Sequence, residues 1–226
     1  MKRKVLLIIL LLSVLIIGGC KYAAEKAILN KYFNAVRLND KTTMGSLAVE
    51  PMAFTFSKWE IVSISEEKVG DTVLPKLADE EKKLKNQLDE LMNRRIEAND
   101  ELNLAKSNLE NAIGRAAQRK FQAEVEEKQK IHDELFNEWK ELQKKYTDAK
   151  LELSQEKKVV NLSLLQEIPG VEDMTGTVHV KNVVVNIISP QGTKKIDINL
   201  KRYLLKNVLG RQFRGRWIIY KFTPVD

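Results

Sequence analysis

Between Pro75 and Pro169 the chain contains no proline and one glycine, Gly114. No other feature limits the fold as strongly, because these are the two residue types that interrupt helices. The segment is dominated by Glu, Lys, Leu, Ala, Gln and Asn, and residues 76–158 carry 18 Lys plus Arg against 19 Asp plus Glu. Good helix formers with interspersed charges of both signs predict helices that are wet on most of their surface. Apolar residues recur at spacings of three and four, through Leu84, Leu88, Leu91, Ala98, Leu102, Ala105 and Leu109, with Arg95 in the same seam. A second series runs through Phe121, Val125, Leu135, Trp139, Leu142, Tyr146, Ala149 and Leu153, with Lys128 and His132 in its seam. The two series are out of phase by two residues near Gly114, which predicts a turn there rather than one continuous helix. Folding the arms back so that paired numbers sum to 230 sets Leu84 opposite Tyr146, Leu88 opposite Leu142, Leu91 opposite Trp139 and Leu109 opposite Phe121. The expectation is an antiparallel coiled-coil hairpin whose arms are each about 55 Å long at ~1.5 Å per residue.

Residues 1–20 read MKRKVLLIILLLSVLIIGGC. Three basic residues precede an apolar run from Val5 to Ile17, which as a helix would span only about 20 Å of a ~30 Å hydrocarbon core. The pattern is that of a secretory signal. Ile17-Gly18-Gly19-Cys20 resembles the bacterial lipoprotein lipobox, and Cys20 is the only cysteine in the chain. The resemblance implies cleavage before Cys20 and lipid attachment to it; the competing reading is an uncleaved N-terminal anchor. Lys21 rather than Asp after the cysteine implies the periplasmic face of the outer membrane, in an organism with two membranes. Loss of residues 1–19 would remove three of the seven surplus positive charges, leaving +4. An exported chain does not ordinarily meet nucleic acid, so the basic balance is read as a solvated surface that favours anionic lipid or cell wall.

The flanks of the helical segment have a different character. Residues 21–39 predict an amphipathic helix, and a shorter one follows over Thr43–Ala48. Residues 53–64, AFTFSKWEIVSI, are aromatic and β-branched and predict a strand. After Pro169 come three further strand-like runs: Gly176–Ile188, Lys195–Lys206 and Gln212–Phe222. They are punctuated by Gln191-Gly192 and Leu209-Gly210, as in a meander of hairpins. The helix ILNKYFNAVRLND, the strand KWEIVSI, TVHVKNVVVNI and the closing GRWIIYKF resemble the nuclear-transport-factor-2-like fold, a curved sheet wrapped around N-terminal helices. The expected fold class is therefore α+β: N-terminal helices on a curved antiparallel sheet, with a long helical hairpin inserted between the first and second strands. The expected organisation is a signal peptide at 1–19, a discontinuous α+β domain from 20–72 and 159–226, and the hairpin at 73–158.

Enzymes of that resembled family use Asp, His or Tyr in a concave pocket. This chain offers His179, Asp197, Tyr203 and Tyr220 on its strands. By alternation His179 shares a face with Thr177 and Lys181, opposite Val178 and Val180, and is expected on an exposed polar face. No phosphate-binding glycine loop, nucleophile elbow or metal-ligand spacing is present in the sequence, so no catalytic residue, metal or cofactor is assigned. At the hairpin tip, Ile113, Arg115, Arg119 and Lys120 combine one apolar side chain with three cations, a candidate partner contact. The leading expectation is a non-enzymatic, membrane-anchored envelope lipoprotein that binds a protein partner through its hairpin. A small-ligand-binding or enzymatic nuclear-transport-factor-2-like domain is the alternative. An efflux-adaptor-like protein ranks third, because the paired lipoyl-like half-motifs that flank the hairpin in such adaptors are not recognisable here.

Overall fold

The computed structural model describes residues 22–225; the stretch expected to be a signal and Cys20 lie outside these residues. The chain forms two compact units. Among the described residues, one is built from the stretch through Thr72 and from Lys157 onward, and the other is Val73–Glu156.

The first unit is α+β, with a curled antiparallel sheet of six strands. Helix α1 spans Ala23–Arg37 and α2 spans Lys41–Leu47. The carboxylate of Asp40 caps α2 by accepting from the Thr43 amide at 3.0 Å. Strands β1 (Lys58–Ile64) and β2 (Lys68–Asp71) both pair with β3 (Thr175–Ser189). Strand β3 forms a hairpin with β4 (Gly192–Lys206), in register from Ser189 opposite Gly192 to Thr175 opposite Lys206. Strands β5 (Gln212–Arg214) and β6 (Ile218–Val225) pair with β4. Two strands of 15 residues each thus carry the whole sheet.

Alternation decides which side is filled. Val183, Val185 and Ile187 on β3 lie on the same face as Ile196, Ile198 and Leu200 on β4. Together they form one core with Ile28, Leu29, Tyr32, Phe33, Val36, Met44 and Leu47 from the two helices. Phe33 is stacked on Trp59 at 4.6 Å and meets Phe56 edge-on at 5.5 Å. Each fully buried large side chain contributes ~1.5–3 kcal/mol. On the opposite face, Tyr203 and Leu205 are also buried, and Ser163 donates to the Arg216 carbonyl while its own carbonyl accepts from the Arg216 amide.

The second unit consists of helix α3 (Leu74–Glu110) and most of helix α4 (Arg115–Leu164). Pro75 stands in the first turn of α3, where its missing N–H has no partner to lose. The turn between the helices is closed by Gly114 at φ +89°, the left-handed conformation that glycine adopts without strain. Contacts between the helices run in antiparallel order. Lys128 Nζ lies 2.7 Å from Glu101 Oε2, Arg95 lies over the rings of Phe136 and Trp139 at 5.0 and 4.5 Å, and Leu91 and Leu135 share a buried cluster with Trp139 and Leu142.

Three expectations need correction. Residues 53–57 are not part of β1: Phe54 and Phe56 lie on irregular chain and turn inward onto Phe33, so their aromatic character reflects core filling rather than strand pairing. A second strand, β2, precedes the helical segment, which therefore lies between the second and third strands. Its sequence KVGD is too short and polar to stand out by pattern. The run Gln212–Phe222 is two strands, broken at Gly215–Trp217, where Gly215 passes so close to Ser163 and the Tyr203 carbonyl that a β-carbon would not fit.

Candidate functional site

At the hairpin tip, Ile113 is 94% exposed, the most exposed large apolar residue among those described. Arg115, Arg119 and Lys120 are exposed on the first turns of α4. An open hollow of about 630 Å³ adjoins them, lined by Leu109, Gln118, Gln122, Ala123 and Glu126 together with Arg115 and Arg119. The four residues singled out from the sequence are thus all exposed, Ile113 in the turn before α4 and the three cations within its first two turns, and two of them, Arg115 and Arg119, line the hollow.

The sheet unit carries a second constellation that the sequence did not announce. On β3 the core-facing row of Val183, Val185 and Ile187 continues as Lys181 and His179, each only 9% exposed. His179 is therefore buried, not on an exposed polar face. Alternation groups residues by side but does not say which side other elements will cover. Arg202 stands opposite His179 on β4, and Leu200 stands opposite Lys181. Glu67, just before β2, is the hub of the group. Its Oε1 accepts from Arg202 Nη2 at 2.7 Å and is hydrogen-bonded to His179 Nδ1, and its Oε2 lies 3.3 Å from Lys181 Nζ. Lys181 also donates to Glu25, in the first turn of α1 and 3% exposed.

Burial works to raise the Glu67 carboxyl pKa, but hydrogen bonds from Arg202, His179 and Lys181 outweigh it and hold the group down at about 2. Burial likewise opposes the charge on Lys181, and the carboxylates of Glu25 and Glu67 outweigh it, keeping that ammonium above its ordinary value. An ionised Glu67 is acceptor-only, so His179 carries its hydrogen on Nδ1. Nε2 lies 3.1 Å from Thr177 Oγ1, within hydrogen-bond distance. The group is a network of fixed charges in which both carboxylates, Glu25 and Glu67, have cationic partners. A carboxylate held at about 2 is a poor proton acceptor at neutral pH, and its evident effect is to position Arg202 over the Trp217 ring, 4.7 Å from its centroid.

Beside Arg202 lies an open groove of about 420 Å³, formed by α1, α2 and the Gly215–Trp217 segment. Ala24, Ala27, Ile28, Leu47 and Trp217 make its surface largely apolar, and Lys31, Arg202 and Arg216 add cations. Arg216 donates from Nη2 to the Ser46 carbonyl and has no carboxylate partner among the described residues. Its burial draws the guanidinium pKa below the usual value.

The remaining sequence candidates are dispersed. Asp197 lies on the opposite face from Arg202 and accepts from Asn182 at 2.7 Å. Tyr203 is fully buried, and Tyr220 is exposed under Lys201 at 3.6 Å. His132, 3.2 Å from Asp133, lies on α4 in the other unit. Among the described residues no group of three or more His, Cys, Asp or Glu could hold a metal ion, and no helix is long and apolar enough to cross a membrane.

No protein-family model matches the chain, and neither a curated protein nor a solved structure is found similar to it.

Proposed function

We propose that the protein is a non-enzymatic, lipid-anchored module of the bacterial cell envelope that binds a protein partner through the tip of a coiled-coil hairpin. The observation that carries this reading is the tip: a 94% exposed isoleucine beside Arg115, Arg119 and Lys120, on a helical pair whose first helix alone is 37 residues long. A helical pair of about 55 Å extends well beyond what a layer on the sheet requires, and the core cluster under α1 and α2 contains no residue of Val73–Glu156. An exposed apolar side chain with three exposed cations close behind it in the chain suits an acidic surface with an apolar centre. The order of two helices, curled sheet and helical pair agrees with a nuclear-transport-factor-2-like domain interrupted by an insertion. Anchoring rests on Ile17-Gly18-Gly19-Cys20, which favours the periplasmic face of the outer membrane where two membranes exist.

The test is photocrosslinking in intact cells, with a photoreactive residue at position 113 and a control at Lys130, whose side chain is 78% exposed. The expected result is one adduct of defined mass from position 113, lost on Arg115→Glu/Arg119→Glu. Equal adduct patterns from both positions, or none from either, would overturn the partner reading. In parallel, labelled fatty acid should enter the wild-type protein and not Cys20→Ala; label in the mutant would exclude Cys20 as the sole attachment point.

A further inference from the structure

We propose that the groove between α1, α2 and Gly215–Trp217 binds an amphiphilic anion, an alkyl chain carrying a carboxylate or phosphate head, with Arg216 as the head-group contact. This site belongs to the sheet unit and is independent of the hairpin tip.

Shape and lining come first. A groove of about 420 Å³ falls within the range of small-molecule sites, ~300–1,000 Å³. Ala24 and Ala27 follow the spacing of one helical face, and both are exposed, so the side of α1 facing the groove is kept low. Ile28, Leu47 and Trp217 are all buried residues that nonetheless form part of the groove wall. Small residues on one side and large apolar ones behind them give a slot that suits an extended chain.

Charge then selects the head group. The two cations of the polar group that reach toward carboxylates are already served: Lys181 by Glu25 and Glu67, Arg202 by Glu67. Arg216 is different. Its partner is a neutral carbonyl, that of Ser46, and no carboxylate forms an ion pair with it among the described residues. The Nε atoms of both Arg202 and Arg216 are closed off from water and have no acceptor. A half-buried guanidinium without a counter-charge is costly, and an anion on its terminal nitrogens removes that cost. Arg202, held over Trp217 by Glu67, adds a second positive field at the same wall. A cationic or uncharged amphiphile gains the apolar contacts but not this compensation.

The experiment uses the full chain in nanodiscs of zwitterionic lipid, in a Trp59→Phe/Trp139→Phe background that leaves Trp217 as the only tryptophan. Dodecanoate is titrated while Trp217 emission is recorded, with dodecyltrimethylammonium as the cationic match. A saturable change with dodecanoate, weakened tenfold or more by Arg216→Gln, partly restored by Arg216→Lys, and blocked by Ala27→Phe, is the expected result. A second arm replaces part of the disc lipid with phosphatidylglycerol. An Arg216-dependent change in this arm alone assigns the head group to phospholipid and still supports the site. Equal responses to the two dodecyl compounds, an affinity unmoved by Arg216→Gln in a protein of unchanged melting behaviour, or silence in every arm would overturn it.

Discussion

The Tyr32 hydroxyl both donates to the Met52 carbonyl and accepts from the Met52 amide, each at 2.8 Å, so that one side chain of α1 replaces a complete pair of backbone hydrogen bonds. This clasp holds the irregular stretch that brings Phe54 and Phe56 over the core. Burial pushes the phenol up to about 12, against a lesser opposing effect of the Met52 bond.

Tyr32→Phe keeps the ring and removes the clasp. The expected loss is about 1–3 kcal/mol, since two backbone groups of Met52 lose their partner. Chemical denaturation near neutral pH measures it. A raised phenol pKa favours the neutral, folded form, so wild-type stability is complete below about pH 10 and falls as pH rises towards 12. That alkaline limb should be reduced in Tyr32→Phe.

The Glu67 group acts in the opposite direction. Its carboxyl lies at about 2 instead of 4.5, so the stabilisation is complete above pH 4.5 and is lost as pH falls towards 2. Glu67→Gln should flatten the stability profile over that window. It should also weaken the protein at neutral pH, where Arg202 loses its carboxylate partner. Denaturant midpoints measured from about pH 2 to neutrality decide the matter. An unchanged acid limb would mean that the group does not contribute as described.

Arg95 tests the helical pair. Its position over Phe136 and Trp139 is worth ~0.5–1 kcal/mol where exposed and about 2 kcal/mol where desolvated, and its buried Nε without an acceptor costs ~1–3 kcal/mol. Gain and penalty are of similar size, so Arg95→Met should leave the thermal midpoint nearly unchanged. A drop of several degrees in calorimetry would show that the cation–π contacts dominate.

Two glycines should respond in opposite senses to the same change. Gly176 has φ +142°, and a β-carbon there would run into the Leu204 carbonyl, so Gly176→Ala should cost about 3 kcal/mol or more or prevent cooperative folding. A β-carbon at Gly45, inside α2, would meet nothing within 4 Å, and Gly45→Ala should gain up to ~1 kcal/mol. Thermal melts of the two variants side by side provide the check.

These residues also show what the amino-acid order can reveal. Helix α1, the turn at Gly114 and the β3–β4 hairpin are legible, because each is written in local periodicity or in a residue that only one backbone conformation suits. The tip residues are legible for the same reason, being fixed by that turn. The group around Glu67 is not. Glu25, Glu67, Lys181 and Arg202 are scattered along almost the whole described chain and meet only because α1 and the β1–β2 link close over one end of the sheet. One trace was available: Lys181 and His179 continue the row of Val183, Val185 and Ile187, and charged residues prolonging an apolar row can signal a paired interior cluster as well as a wet surface.

The division of labour in the sheet also has a colloidal consequence. Beside β3 the border consists of seven- and four-residue strands, and beside β4 of three- and eight-residue strands, the last containing Pro224. Unpaired backbone at a sheet border is a template for a neighbouring molecule, and its hazard grows with straight, uninterrupted length. That hazard rises with the local density of copies. Two broken borders, with Lys58, Glu60, Lys68 and Lys221 along them, deny each copy a continuous ribbon on which another could crystallise or grow into a fibril.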